Sequence, residues 1–159
     1  MNPAATKKLS NVLDHVSDAQ VEGVNFRKRG PGAIKMWKEM AKREPGNDMK
    51  SQCAKVAAPK VERLLRKSKQ VDKDLEKLRD AGGQPHDYYD GTEFRDRTKK
   101  LLVAGTEFER EANKVVLFLK TLFNGTYPGW KEADVKVTVD SLAGFAKLWT
   151  TMKIRLRAI

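Results

Sequence analysis

Residues 61–80, VERLLRKSKQVDKDLEKLRD, decide the fold. With Ala57 ahead of them, Val61, Leu64, Ser68, Val71, Leu75 and Leu78 recur at alternating steps of four and three. That spacing is a heptad seam, the pattern by which one helix packs lengthwise on another, as in a coiled coil. Ser68 is its one polar member. Arg63, Arg66, Lys69, Lys73 and Lys77 fall off the seam and form an outer, basic face.

Working outward, the spacing returns in FRDRTKKLLVAGTEFEREANKVVLFLKTL, residues 94–122. Here Phe94, Thr98, Leu101, Gly105, Phe108, Ala112, Val115, Leu119 and Leu122 carry it. Leu102, Val116 and Phe123 widen the stripe, which predicts more than one packing neighbour for this helix. Thr98, Gly105 and Ala112 are small and leave room for a neighbouring backbone. The two segments, about 48–80 and 92–124, would each span about 50 Å as helices. The polar connector AGGQPHDYYDG joins them, and equal lengths with matching heptads predict an antiparallel helical hairpin. Pro59 either opens the first of these helices or kinks it. Asp90 and Thr92 are candidate caps of the second, and Asn124-Gly125 is its stop.

Shorter helices flank the hairpin. Leu9, Val12, Leu13 and Val16 mark an amphipathic helix that Gly23 should end. Gly30-Pro31-Gly32 reads as a turn, after which Ile34, Trp37, Met40 and Ala41 share a face as far as Pro45-Gly46. Beyond the hairpin, Tyr127-Pro128-Gly129-Trp130 reads as a turn. Val135, Val137 and Val139 alternate as in a short extended stretch. Asp140 then caps a last helix with Leu142, Ala146, Trp149, Met152 and Leu156 on its apolar face. Lys153, Arg155 and Arg157 suit the negative end of that helix's dipole. The expected architecture is all-α, a four- or five-helix bundle built on the long hairpin. It forms a single domain, 1–159, with N-terminal helices at 1–47, the hairpin at 48–124, and a turn region and C-terminal helix at 125–159.

Composition narrows the function classes. The 159 residues are 40% apolar and 33% charged, with 11 glycines and 6 prolines, too few turn formers for an all-β sandwich. No apolar run reaches membrane-spanning length. The N-terminus has no apolar signal core, so the expected location is cytoplasmic, with signal-independent export or a virion as alternatives. The single cysteine, Cys53, excludes an internal disulfide framework and reads as a buried, inert thiol. There is no phosphate-binding glycine loop. The two histidines, His15 and His86, lack the Glu-x-x-His spacing of a bundle metal site. No catalytic residue, cofactor or metal is therefore expected. Asp72, Asp74 and Glu76, like Glu107, Glu109 and Glu111, have two-residue spacing that scatters them around a helix, and they read as solvated ion-pair faces. The loop His86-Asp87-Tyr88-Tyr89-Asp90 is the best small-site candidate, against the plainer reading of a solvated connector.

The surface signal is positive charge. The chain carries 32 bases against 21 acids, a formal net charge of +11. The densest basic segment is FRKRGPGAIKMWKEMAKRE, residues 26–44. Arg27, Lys28 and Arg29 precede an expected helix start at Gly32-Ala33, where backbone N–H groups would suit a phosphate. Lys35, Lys38 and Lys42 share a helix face, and Arg63, Arg66 and Lys73 add to the set. The expected function is a non-enzymatic, self-associating assembly or binding subunit that contacts nucleic acid through its phosphates without reading sequence. One alternative is a protein–protein module or homo-oligomeric structural subunit, with an acidic protein as partner and Trp37, Tyr127 and Trp130 at the interface. Others are a membrane-surface protein, and a toxin, effector or enzyme whose site leaves no pattern.

Overall fold

Leu64 and Leu75 of the first seam and Leu101, Phe108, Val115 and Leu119 of the second are all buried, which makes the two heptad stripes the inside of an all-α bundle. The computed structural model describes residues 3–82, 92–122 and 133–157, and every long element among them is a helix. These are α1 (Pro3–Arg43), a short α2 (Asp48–Gln52) leading through a π turn (Cys53–Ala57) into α3 (Ala58–Gly82), then α4 (Thr92–Leu122) and α5 (Ala133–Arg157). The four long helices form a ring in which α1 packs on α3 and α5, and α4 packs on the same two. α1 and α4 are therefore diagonal.

Cross-links give the directions. Gln20 meets Arg79 and Lys38 meets Glu62, so α1 and α3 run antiparallel. Arg155 donates to the carbonyl of Asn11 and Arg29 pairs with Asp134, so α1 and α5 run antiparallel as well. Lys67 and Glu107 pair between α3 and α4.

The sequence places breaks where α1 has none. Its 41 residues run through Gly23 and through Gly30-Pro31-Gly32. The glycines serve close approach: a Cβ on Gly30 would lie 2.9 Å from Leu65 Cδ2, and one on Gly32 would lie 2.2 Å from Asp134 Oδ2. Pro31 is exposed, where a carbonyl robbed of its helical donor can turn to water. Packing of both flanks of α1 outweighs the weak local propensity. Pro59 stands exposed in the first turn of α3. The wider π turn before it, closed by the Ala58 N–H on the Cys53 carbonyl, lies where the proline ring would otherwise meet the carbonyl of Lys55.

α5 also corrects the expectation, starting at Ala133 with no extended stretch. Val135 and Val139 are buried four residues apart and continue into Leu142, Ala146 and Trp149 at helical spacing. Three alternating valines fit a strand and a helix equally, and only the partner helices choose between them. Asp140 is an exposed mid-helix residue, not a cap.

The centre of the bundle is aromatic. The Phe108 ring stands edge-on to Phe26 at 6.2 Å and to Phe145 at 4.8 Å, and Phe145 stacks on Trp149 at 6.3 Å. This column joins α1, α4 and α5. Gly105 faces it, and what comes closest there is the Trp149 indole: a Cβ on Gly105 would lie 2.3 Å from Cζ2. Asp90, the loop 86–90, the stop at 124–125 and the turn 127–130, Tyr127 and Trp130 included, lie outside the described residues, as does the Phe94 side chain.

Candidate functional site

An α-helix turns by about 100° per residue, so three consecutive bases cannot face one ligand. Arg27, Lys28 and Arg29 separate accordingly. Arg27 turns towards α3, donating to the Ser68 hydroxyl at 2.8 Å and the Ser68 carbonyl at 3.4 Å and pairing with Asp72 at 3.5 Å. Arg29 turns towards α5 and pairs with Asp134 at 3.2 Å. Lys28 alone points outward and is exposed. Since α1 runs unbroken past Gly32-Ala33, the expected helix start with free N–H groups does not exist there.

What remains outward is a two-helix basic surface. Lys28, Lys35 and Lys42 are exposed at seven-residue intervals along α1, which stacks them on one face. On α3, next to α1, Arg63, Arg66, Lys69, Lys73 and Lys77 are exposed. Between Arg63 and Lys73 the one acid is Asp72, already held by Arg27. At the outer junction of the two helices Lys38 pairs with Glu62 at 2.9 Å, the lysine exposed and the glutamate half-buried. Glu39 is the exposed acid on the α1 side.

Where α1 ends, the turn before α2 folds the chain back and creates a notch of about 420 Å³. Lys38, Lys42 and Lys55 surround it, with Ser51 and a floor of Ala41, Pro45 and Ala54. Asn47 caps α2 by accepting the Lys50 N–H at 3.1 Å, and Lys50 pairs with Glu44, which fixes this corner. Lys55 and Ser51 escape sequence reading because nothing local signals that the turn returns them to Lys38 and Lys42.

Other candidates are removed by burial. Trp37 is fully buried, so it is a core residue and no part of a surface interface. Glu109 is not solvated: it is buried between α4 and α5, accepting from Lys153 Nζ at 2.9 Å and the Thr150 hydroxyl at 2.8 Å. Its neighbour Glu107 is exposed and hydrogen-bonded by Lys67, which holds its carboxyl below the ordinary range. Burial pushes the Cys53 thiol up to about 12, so it is no nucleophile at neutral pH. Among the described residues no three His, Cys, Asp or Glu side chains gather to hold a metal ion. Among the same residues no helix is long and apolar enough to cross a membrane. No protein-family model, curated protein or solved structure matches this chain.

Proposed function

We propose that the protein is a non-enzymatic helical subunit that binds nucleic acid through phosphate contacts along the outer faces of α1 and α3. The observation that carries this reading is that Lys28, Lys35 and Lys42 are exposed on one helix and Arg63, Arg66 and Lys73 on the next, while of the acids among them Glu62 and Asp72 are paired with Lys38 and Arg27 and Glu39 is exposed. A rigid, elongated array of cations on helix faces suits a regularly charged backbone and reads no base edges. The notch with Lys42 and Lys55 extends the array past the end of α1. Arg27, held by Ser68 and Asp72, drops out of the contact set, and Arg29 is engaged with Asp134.

Binding of DNA and RNA, measured across a salt series, tests the reading. Each phosphate contact should contribute about 0.7–0.9 to the slope of log affinity against log salt. Replacing Lys35, Lys42, Arg63 and Arg66 with Ala should lower that slope for every sequence alike while the helix content stays unchanged. The purified wild type should also release nucleic acid on high-salt washing, seen as a falling ratio of absorbance at 260 to 280 nm. Wild-type protein that binds neither DNA nor RNA near physiological salt would end this reading.

A further inference from the structure

In a chain of net charge +11, the stretch between Lys8 and Arg27 contains no Lys or Arg. It does contain Asp14, Asp18 and Glu22, and Asp140 of α5 lies close enough to act on Glu22. On the same stretch Val21 and Val24 are 56% and 53% exposed. Asp14, Asp18 and Val21 are spaced four and three apart, so the carboxylates and the apolar contact share one face.

On the diagonal helix the chemistry is inverted. A groove of about 680 Å³ runs along the outer side of α4 to the end of α5. Leu102 and Val103 line it, and Val103 is 70% exposed. Lys99, Arg110 and Arg157 surround them, and the one carboxylate among the described lining residues, Glu107, is already paired with Lys67. A groove with an apolar floor and three cations selects an occupant that is both acidic and apolar.

We propose that a second copy of this chain is that occupant: the Asp14–Val24 face of α1 in one copy seats on the Lys99–Arg110–Arg157 groove of the next. Val21 and Val24 would cover Leu102 and Val103 while Asp14 and Asp18 meet the cations. The two surfaces lie on diagonal helices, so a copy cannot satisfy both with one partner through a two-fold axis. The contact is heterologous, and copies add head to tail. It leaves the outer face of α3 open and stands independently of the nucleic-acid reading.

Light scattering or sedimentation over a concentration series tests it, on protein freed of nucleic acid by nuclease and high-salt washing. The wild type should gain mass with concentration beyond a dimer, and added salt should reduce the gain. Arg110→Glu and Asp18→Lys, both at exposed positions, should each lose the gain while keeping the helical spectrum of the wild type. An equimolar mixture of the two variants should recover it, because the reversed groove of one fits the reversed α1 face of the other. A wild type that stays monomeric, variants that still assemble, or a mixture without recovery overturns the proposal. An unrelated acidic peptide that binds the groove of a monomeric wild type would count as such an overturn and name the replacement.

Discussion

Arg27 of α1 donates a 2.8 Å hydrogen bond to the hydroxyl of Ser68, the one polar residue in the α3 seam. Each residue explains the other. Ser68 is buried without breaking the heptad because a guanidinium from the neighbouring helix meets it, and Arg27 is anchored in turn by Asp72. A base that reads as a phosphate ligand in the sequence is a strut between helices.

Arg27→Ala should therefore lower stability by about 1.5–3 kcal/mol, the range for a hydrogen bond to a charged group. Lys28→Ala, one residue on and exposed, should change it by less than about 0.5 kcal/mol. Urea unfolding of the two variants separates them. In a double-mutant cycle with Ser68→Ala, Arg27→Ala should show coupling of about 0.5 kcal/mol or more.

Gly105→Ala should be destabilising despite alanine's better helix propensity. The added methyl would meet the rigid Trp149 indole at 2.3 Å. Overpacking costs about 1–3 kcal/mol, more than the ~1 kcal/mol gained from replacing glycine in a helix. Gly46→Ala is the control, since a Cβ there meets nothing within 4 Å. Thermal unfolding, with the near-ultraviolet signal of the aromatic side chains, should show a lowered midpoint and altered packing for the first variant only.

Leu64→Ala or Phe108→Ala should each cost about 2–5 kcal/mol, as for large side chains removed from a packed core. Leu64 is buried in the α3 seam, and Phe108 joins the aromatic rings of α1 and α5. Denaturant midpoints near wild type for both would show that the heptad seams do not hold the bundle.

Glu22 gives a pH signature. Burial first, then the charges of Asp140 and Asp18, raise its carboxyl above the ordinary value, and a hydrogen bond with Ser141 opposes them. The folded protein therefore binds this proton more tightly than the unfolded chain does. Charged Glu22 weakens the fold at neutral pH, and the penalty fades as pH falls through the raised value towards the ordinary one near 4.5. In dilute solution Glu22→Gln should be more stable than wild type at neutral pH by a few tenths of a kcal/mol, allowing for solvent screening. The difference should close on acidification. Stability curves that run parallel from pH 4 to pH 7 would show that the carboxyl is unperturbed.

The heptad spacing of 57–78 and 98–122 determined by itself which residues face inward, because a helix long enough to pack on another must place its apolar groups every three to four residues. Net charge and the outward positions of Lys35, Lys42, Arg63, Arg66 and Lys73 were legible for the same reason: helical angle follows from residue number. Lys28 joins them only because α1 continues through Gly30-Pro31-Gly32, which reads locally as a turn. The tertiary structure decided what local signals leave balanced. Gly30, Pro31 and Gly32 fit a turn or a tightly packed helix, and the closeness of Leu65 and Asp134 selects the helix. Val135, Val137 and Val139 fit a strand or a helix until α1 and α4 offer a groove for one face. The roles of Arg27 and Arg29 and the partnership of Lys55 with Lys42 depend on residues far away in sequence. A side chain's angle around its own helix is a local property, but the partner it meets is set by how the helices pack, and no local spacing encodes that.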